Sequence, residues 1–247
     1  YHSRKELILS GTLSPLKDLH LGRLALTKFP KSPETWIHRR WVLQQLIQED
    51  SLASLLTKGS LGAAPVERNH RLMQEEMNVC SEAAGRYPSN YNAWSHRIWV
   101  LQHLGKLSAK VLLDELSSTK YWVSVHVSDH SGFHYRQFLL KSLISRTVTE
   151  NNVLVQNQMI NQQNLSLQKE EQTAGAGTAE EQNVDLLHHL EEELELCTEL
   201  IDIYPGHETL WCHSDETLNN SHNSAATRDM AQAMDVDGLS ESSSKQG

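Results

Sequence analysis

The chain is poor in several things that would decide its class early. Three cysteines in 247 residues, Cys80, Cys197 and Cys212, share no tight spacing. That excludes a secreted disulfide framework and points to a reducing compartment, so a cytoplasmic location is expected. No apolar run approaches the roughly 18 residues of a membrane span, and the first residues carry no signal-peptide pattern. Positive charge is also scarce: 22 Lys and Arg stand against 31 Asp and Glu, a formal net charge of −9. With no basic patch interleaved with aromatics, nucleic acid is excluded as the main partner. The chain starts at Tyr1 and not at methionine, so it is expected to begin inside a longer protein. What remains, at 38% hydrophobic residues, is ample material for one large core or two small ones.

A repeat organises that material. In "NYNAWSHRIWVLQHL", Asn90 to Leu104, a helical wheel places Trp94, Arg97, Ile98, Leu101 and Leu104 on one side, with Ala93 and Val100 at its margin. Arg97 lies inside this apolar stripe and must find acceptors there, because an unpaired buried charge costs several kcal/mol. Trp99 points almost the opposite way, so the helix is expected to lie between neighbours. "TWIHRRWVLQQL" at 35–46 repeats the pattern 58 residues earlier, with Trp36, His38, Arg39 and Trp41 matching Trp94, His96, Arg97 and Trp99. A third copy at 132–143 places Phe133, Arg136 and Phe138 in the same positions, and "YHSRKELIL" at the start reads as the stump of an earlier one. The dipeptides Phe29-Pro30, Tyr87-Pro88 and Tyr204-Pro205 each put an aromatic seven residues before a Trp. Proline there ends one helix, and its neighbours cap the next.

Between the copies lie partner helices: one from Ser14-Pro15, with Ser as N-cap and Pro at the first position, one over 66–86 and one over 108–117. Hairpins of roughly 35 to 40 residues, each hiding a face on the next, predict an all-α fold, an α-α superhelix or solenoid. Residues 50–69 read as an insertion in it. The expected organisation is helical repeats over 1–146, a disordered polar insertion over 147–183, a partial further repeat over 184–213 and a disordered polar tail over 214–247. In the partial repeat, Leu186, Leu187, Leu190, Leu194, Cys197 and Ile201 are expected to face inward, and Glu191, Glu192, Glu193 and Glu195 outward. "YPGHETLWCH" announces a fourth copy. Ser214, Asp215 and Glu216 then follow where the repeat calls for Arg, so its second helix is expected to be missing.

The repeat resembles the α subunits of the protein prenyltransferases, carried by an Asn-Tyr-x-x-Trp-x-x-Arg signature complete here as "NYNAWSHR" at 90–97. The resemblance implies a helical-hairpin α subunit wrapped around an α/α-barrel β subunit, a heterodimer active only when assembled. The implied reaction is transfer of a geranylgeranyl (or farnesyl) group from its diphosphate to a C-terminal cysteine of substrate proteins. Zinc and the isoprenoid diphosphate are expected in the β partner, with no cofactor and no metal bound by this chain alone. The family's α subunit also lends a lysine and a tyrosine to the diphosphate, whose developing charge they stabilise. Lys31, five residues before Trp36, and Tyr91, three before Trp94, match those positions. Two departures stand beside them: Ser32-Pro33 follows Lys31 in place of Asn-Tyr, and Asn92 stands where farnesyl-type α subunits have histidine.

Stacking alone explains Trp36, Arg39, Trp41, Trp94, Arg97, Trp99, Phe133 and Arg136 as structural repeat residues. A non-catalytic, protein-binding helical scaffold is therefore the alternative reading. Cys212 and His213 with His207 or His188 fit no zinc spacing. Asp129, His130 and Ser131 are adjacent and splay apart on a helix, which argues against a catalytic triad. The glutamates around Glu192 read as a solvated helix face.

Overall fold

A computed structural model describes residues 2–56, 64–165 and 179–222, and every regular element among them is helical. The helices are α1 (His2–Leu9), α2 (Pro15–Lys28), α3 (Pro33–Leu56), α4 (Ala64–Arg86), α5 (Tyr91–His103), α6 (Ala109–Val125), α7 (His130–Leu165) and α8 (Ala179–Ile203), followed by α9 over 208–222. The all-α helical-hairpin class expected from the repeat is the one found. The chain divides into two compact units, Tyr1–Val111 with Asp129–Tyr135 and Leu112–Ser128 with Arg136–Gly247, so α6 and α7 each contribute to both.

In the first unit α2 packs on α3 and α4 on α5, forming two hairpins, while α2 meets α4 and α3 meets α5 across them. Local chemistry sets the ends. Pro15 opens α2, where its missing N–H is no loss, and Asn90 caps α5 by accepting from the Ala93 N–H at 3.3 Å. Asp129 does the same for α7, accepting from Gly132 at 3.0 Å and also from the Ser89 N–H at 3.0 Å. Ser89 adopts φ 50°, a left-handed turn that this second bond helps hold. In the second unit α7 bonds to α6 and α8 through Arg136, and to α9 through Gln137.

Three expectations about the later part of the chain change. Residues 147–165, where polar composition pointed to disorder, continue α7, and α8 begins at Ala179; 166–178 lie outside the described residues. No Gly or Pro occurs over 147–165, so nothing stops a helix already nucleated by packed residues. The second helix of the fourth copy is present as α9, not lost. Polar bonds hold it in place of the apolar stripe: the Gln137 amide donates to Thr217 Oγ1 at 2.9 Å, and Asn220 donates to Gln137 Oε1 at 3.2 Å. Most of the expected tail, 223–247, lies outside the described residues. Finally, Glu193 faces inward and is buried, with Leu186, Leu190, Leu196, Cys197 and Leu200.

The copies are equivalent in sequence but not in cover. Trp36, Trp94 and Phe133 are each 4% exposed or less, whereas Trp211 at the same position of the fourth copy is 50% exposed. Seven residues on, Leu43, Leu101 and Leu140 are wholly buried and Leu218 is not. The reason is visible in the earlier copies, where Trp36 packs on His96 at 5.0 Å and Trp94 on Tyr135 at 5.1 Å between ring centroids. Each indole is covered by the helix of the following copy. Trp41 and Trp99 lie on the other side, half-buried, stacked on His38 at 5.9 Å and on His103 at 4.2 Å.

Candidate functional site

The repeat arginines come first, because they fix the frame on which the candidate site is mounted. Arg39, Arg97 and Arg136 are buried, and each donates through Nη1 to a backbone carbonyl 20 residues earlier: Leu19 at 2.7 Å, Met77 at 3.1 Å and Leu116 at 2.7 Å. The residue before that carbonyl is a buried acid in two of these copies. Asp18 and Glu76 receive Nε2 of His38 at 2.8 Å and of His96 at 2.9 Å, again 20 residues apart, and Glu193 receives His213 at 2.7 Å with the same spacing. Each acid is also paired with an arginine from an earlier helix: Asp18 with Arg4, Glu76 with Arg39 and Glu193 with Arg136. An Arg–carboxylate–His triad thus recurs three times.

Burial opposes the charge on Glu76, but Arg39 and the hydrogen bonds from His96 and Arg39 outweigh it and take the pKa from 4.5 to about 2. Glu193 is likewise taken to about 2, against its burial, by Arg136 and His213. Burial pushes the His96 pKa down despite Glu76. Its geometry suits the neutral ring, with Nε2–H donating to Glu76 and Nδ1 facing Arg40 Nε at 3.4 Å. In the third copy Tyr135 takes the histidine's place, and its hydroxyl accepts from Arg97 Nε at 3.3 Å.

On this frame the ends of α2, α3, α4 and α5 form an exposed edge. Phe29-Pro30 stops α2, and the Pro30 carbonyl accepts two bonds at 2.9 Å, from Trp36 Nε1 and from the Asn90 amide. Asn90 also reaches the Ala83 carbonyl at 3.2 Å, and the Asn92 amide donates to the Lys31 carbonyl at 3.1 Å. The signature asparagine is therefore a clamp that ties the first copy's loop to the second copy's helix. The fold holds Lys31 by its backbone. Its side chain is exposed, with Nζ 4.1 Å from the centroid of Tyr87, at the rim of a cleft of about 500 Å³ lined by Lys28, Phe29, Pro30, Ser32 and Tyr87. Tyr91, the first residue of α5 and next to Asn92, is 65% exposed. The two matched positions thus share one edge, where an ammonium and a phenol hydroxyl are free to meet an anion brought from outside.

The rejected alternatives have structural explanations. Asp129 is a helix cap, and both ring nitrogens of His213 are engaged, by Glu193 and by the Gln137 amide at 2.8 Å. Among the described residues no group of three or more His, Cys, Asp or Glu could hold a metal ion.

The model of the protein prenyltransferase alpha subunit repeat matches at residues 16–46, 73–104, 112–143 and 190–214. These four segments coincide with α2–α3, α4–α5, α6–α7 and α8–α9. The chain belongs to the protein prenyltransferase α-subunit repeat family. It is 67% identical over 247 residues to human protein prenyltransferase alpha subunit repeat-containing protein 1, covering all of this chain and 61% of that protein. A Xenopus laevis relative, repeat-containing protein 1-A, is 58% identical over 224 residues, which is 90% of this chain and 51% of the relative. Yeast geranylgeranyl transferase type-2 subunit alpha is 34% identical over 61 residues, 25% of this chain and 19% of its own length.

Within this family fold, sequence reading found the arginines and missed their acids. Asp18, Glu76 and Glu193 had one usable signal: each stands 20 residues before a repeat histidine.

Proposed function

We propose that this chain is the α-type subunit of a heterodimeric protein prenyltransferase. In this reading it assembles with an α/α-barrel β subunit and supports geranylgeranyl transfer, with farnesyl second, from the diphosphate to a C-terminal cysteine of substrate proteins, in the cytoplasm. The observation that carries the proposal is the shared edge: Lys31 and Tyr91 stand exposed on segments tied together by the bond from Asn92 to the Lys31 carbonyl. As the carbon–oxygen bond to the diphosphate breaks, negative charge grows on the leaving oxygens, and a cation with a hydroxyl donor placed there lowers the barrier. Neither residue is a nucleophile or a base in this scheme. In this reading the catalytic zinc and the bulk of the lipid site belong to the partner, as the family resemblance implies. Geranylgeranyl is placed first because the yeast relative named above is a geranylgeranyl transferase subunit.

One observation favours the scaffold reading instead. The Lys31 ammonium rests over the Tyr87 ring, a contact a surface lysine makes with no anion present. Co-expression with each candidate β subunit, size-exclusion chromatography and a transfer assay on the peak separate the two. The α-subunit reading expects a one-to-one active complex, in which Lys31→Ala slows transfer by about tenfold or more without altering the complex. Failure to bind any barrel, or equal turnover without the lysine, would leave the scaffold reading standing.

A further inference from the structure

The first unit carries a second groove, between α2 and α4, with a volume of about 410 Å³. Arg39 closes its floor, Leu16, Leu19, Leu72 and Val79 form an apolar wall, and His20, Arg23, Arg68 and Arg71 line it beside one acid, Glu75. In a chain of net charge −9 this is a local reversal of sign. Its arginine donors are not all spent, although Glu75 lines the groove and Glu76, Glu82 and Asp50 pair with three of its arginines. Arg39 spends Nε and Nη2 on Glu76 and Nη1 on the Leu19 carbonyl. Arg23 spends Nε and Nη2 on Glu82, and Arg68 spends Nη1 on Asp50 at 2.6 Å, but neither acid lines the groove. Nη1 of Arg23, the remaining donors of Arg68 and the whole Arg71 guanidinium are left for a ligand; Arg71 makes no ion pair among the described residues.

The repeat provides an internal control. The second unit has a groove of about 340 Å³ between α6 and α8, floored by Arg136 and lined by the corresponding positions. Leu113, Leu116, Ser117 and Lys120 stand for Leu16, Leu19, His20 and Arg23, and Glu192 stands for Glu75. At the positions of Arg68 and Arg71, however, the sequence has Asp185 and His188. Hairpin packing produces the cavity and its glutamate, and it does not require the two arginines.

We propose that the α2–α4 groove is a binding site for a phosphate monoester, with Arg23, Arg68 and Arg71 as its donors. Guanidinium forks match a phosphate bidentately; the exposed pair of Arg23 with Glu82 is weak enough to be shared, and Arg68 keeps donors beyond the one it spends on half-buried Asp50. The apolar wall takes the carbon side of the ester, which separates this ligand from a bare oxyanion. The source is a phosphorylated side chain or a small phosphorylated molecule.

The test is titration calorimetry of the full chain with inorganic phosphate, glycerol phosphate, a phosphoserine peptide and its serine counterpart, at low salt and again at about 0.5 M, where exposed charges are screened. At least one ester should bind more tightly than inorganic phosphate, and the serine peptide should not bind. Arg71→Ala should weaken binding by about tenfold or more, while Lys120→Ala in the other groove changes nothing. Tighter binding of the peptide than of glycerol phosphate assigns the ligand to a phosphorylated protein, and glycerol phosphate binding as tightly or more tightly assigns it to a small molecule; either supports the site. No binding of either ester, esters binding no more tightly than inorganic phosphate, or equal weakening by Arg71→Ala and Lys120→Ala, would overturn it. Arg71 is exposed on α4, so circular dichroism of the variant is expected to match the parent.

Discussion

Replacing Glu76 with glutamine tests the buried triads most directly. The carboxylate accepts from Arg39 Nε at 2.6 Å, Arg39 Nη2 at 2.7 Å and His96 Nε2 at 2.9 Å, with only 1% of its surface exposed. Glutamine keeps the shape, removes the charge and points an amide donor at a guanidinium that pairs with no other acid among the described residues. Removing one member of a buried pair costs about 3–5 kcal/mol, most of it the stranded partner. An independent route gives a similar size: a pKa lowered from 4.5 to about 2 is worth about 3 kcal/mol. Because the folded value lies below the unfolded one, this stability is fully present above pH 4.5 and is lost as the pH falls towards 2. His96 acts in the same direction, since its lowered pKa means the unfolded chain takes up the proton first as the pH drops. Urea unfolding followed by tryptophan fluorescence should show Glu76→Gln about 3 kcal/mol less stable at pH 7, with the gap closing in acid. Replacing Arg39, Glu76 and His96 together by apolar residues should recover most of the loss. A cost under about 1 kcal/mol at pH 7, or a gap that does not change with pH, would refute the reasoning.

Position within the stack should decide the cost of losing a repeat tryptophan. Trp94→Ala should destabilise by about 3–5 kcal/mol and Trp211→Ala by about 1 kcal/mol or less, read from the same urea curves. Asn90→Ala removes the side-chain bonds to the Pro30 and Ala83 carbonyls and from the Ala93 N–H; the Pro30 carbonyl keeps Trp36 and the Ala93 N–H keeps the backbone carbonyl of residue 90, so a loss of about 1–2 kcal/mol is expected, measured by thermal unfolding. Burial, with the Glu193 charge beside it, pushes the Cys197 thiol up to about 12, so at neutral pH a thiol reagent should label exposed Cys212 and leave Cys197 unmodified until the chain unfolds. Mass spectrometry of the labelled peptides reads this directly.

The hairpins were legible because the apolar stripe returns in register with Trp, His and Arg at fixed offsets. Arg39, Arg97 and Arg136 were legible as buried for the same reason: each falls inside the stripe. Their acids were not, because a carboxylate among glutamates, as in Glu75-Glu76 or Glu191-Glu192-Glu193, looks like a solvated face. Whether Glu75 or Glu76 turns inward depends on the register between two helices. That register becomes readable only when the 20-residue interval is compared across copies. The fourth hairpin was misjudged because Thr217, bonded to Gln137, holds its second helix at the position where buried Val42, Val100 and Leu139 stand in the other copies. Polar positions that bond to one another leave no hydrophobic period to find. At the candidate site, the positions of Lys31 and Tyr91 came from the family resemblance, while the clamp that brings them to one edge, Asn90 and Asn92, came from the structure.

That clamp separates scaffold from chemistry. At residue 31 the fold uses the carbonyl, which accepts from Asn92 and would be offered by any amino acid. The lysine side chain adds only an exposed contact with Tyr87, worth about 0.5–1 kcal/mol. At residue 91 the phenol hydroxyl likewise lies outside the packed layer. A loss of transfer in Lys31→Ala therefore cannot be charged to the buried triads of Asp18 and Glu76, which lie in the same unit and keep all their partners. The same logic assigns opposite signatures to the two sets: changes at Asp18, Glu76 or Glu193 should lower stability with or without a partner subunit, and changes at Lys31 or Tyr91 should be silent until diphosphate is present.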